Sequence, residues 1–389
     1  MSRREVRVET GASRVDPDAY IVRIGAGEAR RVLRETRGLV PAARRALAVV
    51  DANLPEPFVR SALAALREPE GGAGLEISRH TIDPAERIKT LGTLARTLEA
   101  AARARLERGD AFVALGGGIV GDLTGFAAST YRRGVGVIQC PTTLLAMVDA
   151  SVGGKTGVNL EIEDRLIKNA AGAFHQPLAV AADTDALESL PARELSAGLG
   201  ECLKHGMLGG SLGDPGLLDW TEANLAALRA RDREALAQVI ARGVAVKARA
   251  VEADERETAS SDRGGRALLN LGHTFAHAIE GTPRCPFVHG EAVGLGLIAA
   301  SAMSAALGLA GESMAERARE LCVAAGLPAE AGGALPAAGA LAEAMLDDKK
   351  ARGGALRVIA PLEDHTARVV DNPDRGAVLA GWRAIGASG

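Results

Sequence analysis

Three of the chain's seven histidines, His273, His277 and His289, fall in one stretch that runs from RALLNLGHTFAHAIE (Arg266–Glu280) to His289-Gly290-Glu291. A carboxylate lies upstream in Glu201-Cys202-Leu203-Lys204-His205. Imidazoles grouped with a carboxylate are the donor set of a divalent metal site. His273 and His277 stand four residues apart and share one face of a helix, so spacing alone makes both of them ligand candidates. A zincin of the HExxH type is excluded, because threonine follows His273. A second chemistry resides in AFVALGGGIVGDLTG (Ala111–Gly125). There a short apolar run, Ala111–Leu115, reads as a buried parallel strand that ends in Gly116-Gly117-Gly118-Ile119-Val120-Gly121-Asp122 and a helix through Ser129. Strand, glycine turn and helix bring backbone N–H groups and a helix N-terminus up to a phosphate. The spacing Gly116-x-Gly118-x-x-Gly121 fits the dinucleotide fingerprint, although the next strand, Val135–Cys140, lacks the acidic end that an ordinary Rossmann unit uses for ribose. A third cluster joins Thr142, Thr143 and Asp149 to Ser151-Val152-Gly153-Gly154-Lys155-Thr156, followed by Lys168-Asn169. Glycines beside a lysine suit a phosphate or carboxylate, and no Walker loop is formed.

These clusters need elements to hold them. Tyr20–Ile24 reads as an edge strand. Arg44–Val50 reads as a buried strand ending in Asp51-Ala52-Asn53, where an acidic group at a strand's carboxyl end can meet a ribose or adenine, or simply form a turn. A helix near Phe58–Arg67, a strand at Leu75–Ile82 and a long helix to about Arg108 follow. Asp83 is the expected cap of that long helix and Pro84 its first turn. Strands alternating with helices predict an α/β, doubly wound parallel sheet over residues 1–182. The helical, Ala/Leu/Glu/Arg-rich remainder, 183–389, is expected to form a mainly α-helical second domain. Residues 323–341 read as helix–loop–helix.

GGGIVGDLTGFAASTYRRGV, PTTLLAMVDASVGGKTGVN and KNAAGAFHQP closely resemble the signature of 3-dehydroquinate synthases, within the wider group of sugar phosphate cyclases. The resemblance covers roughly residues 40–360. It implies an NAD-binding α/β domain followed by an α-helical metal- and substrate-binding domain. It also implies one Zn²⁺ or Co²⁺ held by Glu201, His273 and His289, with His277 freed for the substrate. The implied cofactor contacts are Asp51, Asn53, Glu86, Lys89, Gly117, Gly118, Ile119, Asp122, Thr142, Thr143, Lys155 and Lys168. The implied substrate is 3-deoxy-D-arabino-heptulosonate 7-phosphate, a phosphorylated keto acid. Arg266 and Lys247 would hold its carboxylate, and Lys155, Asn169, Asn270, His277 and Lys350 (or Lys349) its phosphate. Arg133 would reach that phosphate from the neighbouring subunit of a homodimer, while Asp149 and Lys204 touch ring hydroxyls. The implied catalytic set is thus Asp149, Lys155, Lys204, Asn270 and His277. The implied reaction is transient oxidation, phosphate elimination, reduction and aldol closure to 3-dehydroquinate.

Composition sets the bounds. The chain has 389 residues, 47% hydrophobic and 24% charged, as an ordinary soluble protein does. A net charge of −3 argues against nucleic acid or an anionic membrane as the main partner. Four scattered cysteines without a CxxC pair point to a reduced, cytoplasmic setting. The N-terminus lacks an apolar signal region, and no run of about 18 apolar residues occurs. Three departures from the family pattern stand out: eight residues between Asn159 and Lys168, the long TASSDRG (258–264) before Arg266, and Ala276 where glycine is usual. Rival readings are aminodehydroquinate synthase, a sedoheptulose 7-phosphate cyclase, and a metal- and nicotinamide-dependent alcohol dehydrogenase. The last would release NADH, whereas a cyclase recycles it.

Overall fold

The computed structural model describes residues 3–10, 19–163, 165–255, 265–351 and 356–389, the side chains at 165 and 347–351 excepted. The chain forms two compact units. One comprises Met1–Pro191 with Leu236–Ala248, the other Ala192–Ala235 with Arg249–Gly389.

The first unit runs β1 (Arg4–Glu9), β2 (Ala19–Gly25), α1 (Glu28–Arg34), α2 (Thr36–Leu39), β3 (Arg45–Asp51), α3 (Glu56–Arg67), β4 (Glu76–Ile82), α4 (Leu91–Arg103), β5 (Ala111–Gly116), α5 (Gly118–Thr130), β6 (Gly136–Pro141), β7 (Lys155–Ile162), β8 (Arg165–Phe174) and β9 (Ala179–Asp183). Among the described residues these build a seven-stranded sheet, ordered β1-β2-β9-β6-β5-β3-β4, and a separate β7–β8 hairpin. Every pairing in the large sheet is parallel except β1 with β2. Strand residues alternate between its faces. Ala46, Ala48 and Val50 of β3 join a core with α1 and α3, while Leu47 and Val49 join α4 and α5 on the other face. Burial on both faces explains why these strands are continuous apolar runs. The doubly wound sheet expected from the sequence is present.

Three local expectations differ. Tyr20–Ile24 lies in β2, one place in from the edge, because β1 pairs outside it. Asp83 caps no helix. Ala85 is extended, Glu86–Ile88 form a single 3₁₀ turn, and α4 starts only after Thr90, whose Oγ1 accepts from the Thr93 N–H at 3.3 Å. Tertiary pairing overrides the local helix signal there. Thr90 bridges Asn159, and the Asn159 N–H donates to the Lys89 carbonyl at 2.7 Å, which holds Thr90 extended. At its other end α4 stops at Arg103 rather than about Arg108, and Arg105 adopts a left-handed φ of 54°.

The second unit contains α6 (Ala192–Met207), α7 (Leu217–Arg229), both ends of α8 (Arg233–Ala253), α9 (His273–Glu280), α10 (His289–Ala306), α11 (Glu312–Ala324), α12 (Ala338–Ala351), β10 (Arg357–Pro361), β11 (Ala367–Asp371) and α13 (Arg375–Ala384). The central helix is α10, which packs against α6, α9, α11 and α13. Its sequence HGEAVGLGLIAASAMSAA is apolar nearly all round, as a helix buried on every side must be. The β10–β11 hairpin was not expected from the sequence. The loop 258–264 lies outside the described residues. Among the described residues no helix is long and apolar enough to cross a membrane.

Candidate active site

The second unit assembles the histidine cluster. Glu201 lies on α6, while His273 and His289 are the first residues of α9 and α10. The Glu201 Oε1 atom lies 3.6 Å from His273 Nε2 and 3.5 Å from His289 Nε2. One donor atom from each of the three residues lies within 4.8 Å of the others. The approach of α6 to α10 depends on small residues. A Cβ added at Gly290 would stand 2.1 Å from the Ala197 carbonyl oxygen, and one at Gly200 would stand 2.8 Å from the Gly290 oxygen.

The rings are held in the tautomer a metal needs. His273 Nδ1 is 3.1 Å from the Leu271 carbonyl, so it is the protonated nitrogen and Nε2 keeps its lone pair. His289 Nδ1 lies 3.2 Å from Glu280 Oε1, a carboxylate–imidazole pair that fixes its orientation. Burial and the Lys204 ammonium hold His273 far down, at about 3. At His289 burial also lowers the pKa, but hydrogen bonds to Glu201 and Glu280 outweigh it and raise it to about 10. Lys204, one turn along α6, sits 2.5 Å from Glu201 Oε2, and both side chains are fully buried. One carboxylate and two correctly oriented imidazoles within coordination reach fit a divalent ion with open positions.

His277 is exposed one turn beyond His273, their ring centroids 5.6 Å apart. It lines the same face without joining the three-donor group. Asn270 is exposed at the end of a 3₁₀ turn, Gly265–Asn270, whose Arg266 is buried and donates to the Glu255 carbonyl at 2.5 Å. Lys349 and Lys350 lie on α12, and their side chains fall outside the description. Glu280 is absent from the residues singled out in the sequence. Its position two helical turns beyond His273 was the available signal.

The first unit carries the glycine turn at the carboxyl ends of β5 and β6. Gly117 precedes α5, and Gly118 and Ile119 form its first turn. A Cβ at Gly117 would meet Thr143 Cγ2 at 3.0 Å, and one at Gly118 would meet Ala150 Cβ at 3.3 Å. Bare backbone thus packs closely against the Thr143 and Ala150 side chains and leads straight into the N-terminus of α5, where backbone N–H groups suit a diphosphate. Thr143 Oγ1 accepts from the Ala146 N–H at 3.1 Å and starts a short π-helix, Ala146–Ala150, which carries Asp149. The Asp149 carboxylate and carbonyl both receive the Lys247 ammonium. Asp51 lies at the end of β3, where its Oδ1 accepts from the Asn53 backbone at 2.8 Å and amide at 3.2 Å. Burial raises its carboxyl pKa.

Lys89 is buried. Its ammonium pairs with Asp122 Oδ2 at 2.6 Å and also reaches Asn169 Oδ1. Glu86 Oε1 accepts from Asn159 Nδ2 at 2.6 Å. Lys155 opens β7 and is exposed, as are Lys168, Asn169 and Arg133. Arg132, Arg133 and Gly134 all have positive φ, at 52°, 65° and 121°.

Family models bear on both units. Residues 79–197 match the model described as 3-dehydroquinate synthase N-terminal, and 198–351 the one described as 3-dehydroquinate synthase C-terminal. A 3-dehydroquinate synthase of Halorhodospira halophila is 50% identical over 74% of this chain and 77% of its own length. That of Caulobacter vibrioides is 42% identical over 93% and 95%. Among solved structures, the 2-epi-5-epi-valiolone synthase ValA of Streptomyces hygroscopicus, with NAD⁺ and Zn²⁺ bound, is 25% identical. It superposes with a TM-score of 0.81 over 97% of this chain and 99% of its own. A probable glycerol dehydrogenase of Sinorhizobium meliloti, 16% identical with a TM-score of 0.63 over 92% and 94%, shares the fold.

Proposed function

The chain belongs to the 3-dehydroquinate synthase family, and we propose that its own residues perform that family's reaction, from 3-deoxy-D-arabino-heptulosonate 7-phosphate to 3-dehydroquinate and phosphate. The observation that carries the reading is the cluster of buried Glu201 with the half-buried His273 and His289, both imidazoles turned Nε2-first toward one carboxylate oxygen. These three would hold one Zn²⁺ or Co²⁺. The glycine turn with Thr142 and Thr143 would hold NAD⁺, helped by Glu86, Lys89, Asp122, Lys155 and Lys168, with Asp51 and Asn53 toward the ribose or adenine. When bound, the ion supplies Lewis acidity toward a substrate hydroxyl, and NAD⁺ supplies a reversible hydride acceptor.

The remaining work is orientation and charge. Arg266 is fixed by its bond to the Glu255 carbonyl before any ligand arrives, and its planar guanidinium suits a carboxylate. Lys247 would add a second cation to that carboxylate by exchanging its Asp149 contact for the substrate. Lys155, Asn169, Asn270, His277 and Lys350 or Lys349 would bind the phosphate, with Arg133 contributed across a homodimer. Once C5 is a ketone, the C6 proton passes to an oxygen of the departing phosphate, the electron pair it leaves forms the C6–C7 double bond as the C7–O bond breaks, and the surrounding cations stabilise the leaving phosphate. Asp149 and Lys204 would orient the ring hydroxyls. We assign this chemistry to the cytoplasm.

The test is incubation of the zinc-loaded chain with the heptulosonate phosphate and catalytic NAD⁺. Phosphate and 3-dehydroquinate should appear in equal amounts with no net absorbance change at about 340 nm. Stoichiometric accumulation of NADH would instead identify an alcohol dehydrogenase.

A further inference from the structure

The β7–β8 hairpin carries Lys155, Lys168 and Asn169, and its register is not uniform. Val158 pairs with Ala171, and beyond an irregularity Leu160 pairs with Ile167. Asn159 alone therefore stands opposite Lys168, Asn169 and Ala170. A β-bulge bends its strand and re-aims the extra side chains. Here the extra residues are on β8, and Asn169 adopts a left-handed φ of 53°.

Asn159 occupies the inside of that bulge and is buried, 2% exposed. Its side-chain carbonyl accepts the Asn169 N–H at 2.8 Å, and its amide donates to Glu86 Oε1 at 2.6 Å. Its backbone N–H donates to the Lys89 carbonyl at 2.7 Å, and it bridges Thr90 in parallel fashion. One side chain thus joins three pieces of chain: the 3₁₀ turn of Glu86–Ile88, β7, and the bulge on β8. A fourth link closes the loop, because Lys89 binds both Asp122 of α5 and the Asn169 side chain. The tip of the hairpin, by contrast, holds exposed Ile162, Leu166 and Ile167.

We propose that Asn159 is a positioning residue, which sets Glu86 and the Lys168–Asn169 bulge for the ligands assigned to them under the proposed function, irrespective of the length of the tip. The added residues between Asn159 and Lys168 lie beyond the pin. They extend the hairpin while leaving the bulge in place.

The test compares the parent with N159A and with a chain in which residues 161–166 are replaced by a two-residue Asn-Gly turn. Three readouts are taken on the full zinc-loaded chain: peptide-level hydrogen exchange over 166–171 without substrate, NAD⁺ affinity by calorimetry, and the KM and kcat of the reaction. N159A should expose the Asn169 amide to exchange. It should weaken NAD⁺ and raise KM by roughly tenfold or more, with a smaller change in kcat, because displaced binding groups cost orientation. The shortened tip should match the parent in the NAD⁺ and KM readouts. Should alanine unfold the hairpin, N159D retains the acceptor for the Asn169 amide and loses the donor to Glu86. It should keep the protection and still weaken NAD⁺. Parent-like exchange and affinity in N159A, parent-like affinity in N159D, or an equal loss on shortening the tip would each overturn the assignment. A parent that releases no phosphate would sink the functional reading instead, while exchange and NAD⁺ affinity would still decide the role of Asn159.

Discussion

Gly290 follows the proposed ligand His289 directly, and replacing it with alanine tests whether the α6–α10 crossing sets the geometry of the proposed metal site. The new Cβ would lie 2.1 Å from the Ala197 carbonyl oxygen and 2.5 Å from its carbon and Cα, all of them backbone atoms that cannot swing aside. Contact distances below 3.0 Å are essentially never tolerated, so α10 must retreat from α6 by about 0.9 Å. Metal sites tolerate deviations of only about 0.2 Å in ligand distance, several times less than that retreat. We expect Gly290→Ala to cost about 1–3 kcal/mol of stability through overpacking. Zinc affinity should fall at least about tenfold, equivalent to about 1.4 kcal/mol. Competition against a chromophoric chelator measures the affinity, and scanning calorimetry the stability. Gly294→Ala is the control on the same helix, since its Cβ would meet the Leu327 side-chain end at 3.1 Å and the Cys322 Sγ at 3.5 Å, side-chain atoms and no backbone, and zinc binding should persist. A Gly290→Ala chain that binds zinc as tightly as the parent would refute the reasoning.

Other perturbations have equally definite outcomes. Glu280→Ala removes the acceptor that orients His289 and should lower zinc affinity by about 10–100-fold, with Glu280→Gln losing less; equal affinities in all three proteins would exclude the contact. Arg266→Ala should raise the KM for the keto acid while NAD⁺ affinity stays near the parent's, and an equal loss in both would contradict the carboxylate role. Burial raises the folded-state pKa of Asp51, so the folded chain keeps that proton longer than the unfolded one. Stability is therefore shed as pH rises through and above the unfolded value of about 3.9, and Asp51→Asn should flatten that slope in the melting temperature. A slope unchanged by the substitution would mean that Asp51 does not contribute it.

Much of this was legible from residue type and order. The doubly wound sheet follows from apolar strands bounded by glycine turns, and the alternation of β3 residues between two cores is the reason that pattern works. The three-donor group was legible only with the family pattern beside it. Spacing alone makes His273 and His277 both candidates, and His277, on the same helix face, stays outside the three-donor group. Glu86 and Lys89 illustrate the opposite case. Their local sequence reads as an exposed helix start, and only pairing with Asn159, remote in sequence, holds them in a 3₁₀ turn and bend ahead of α4 that bury Lys89. The bulge opposite Asn159 was illegible for a related reason. A register shift is a property of two strands at once, and neither strand's own pattern encodes it.

Three helices each contribute one donor to the cluster, two of them at their first residue. An ion bound there would act as a clasp that the denatured chain lacks, stabilising the native form by RT ln(1 + [M]/Kd), or about 2.7 kcal/mol at a hundredfold excess over Kd. Under zinc starvation a larger fraction of molecules would open and meet proteases, so enzyme abundance would fall along with turnover. Cellular half-life measured with and without a permeant chelator would reveal that dependence, and a half-life indifferent to metal would show that the helices hold together unaided.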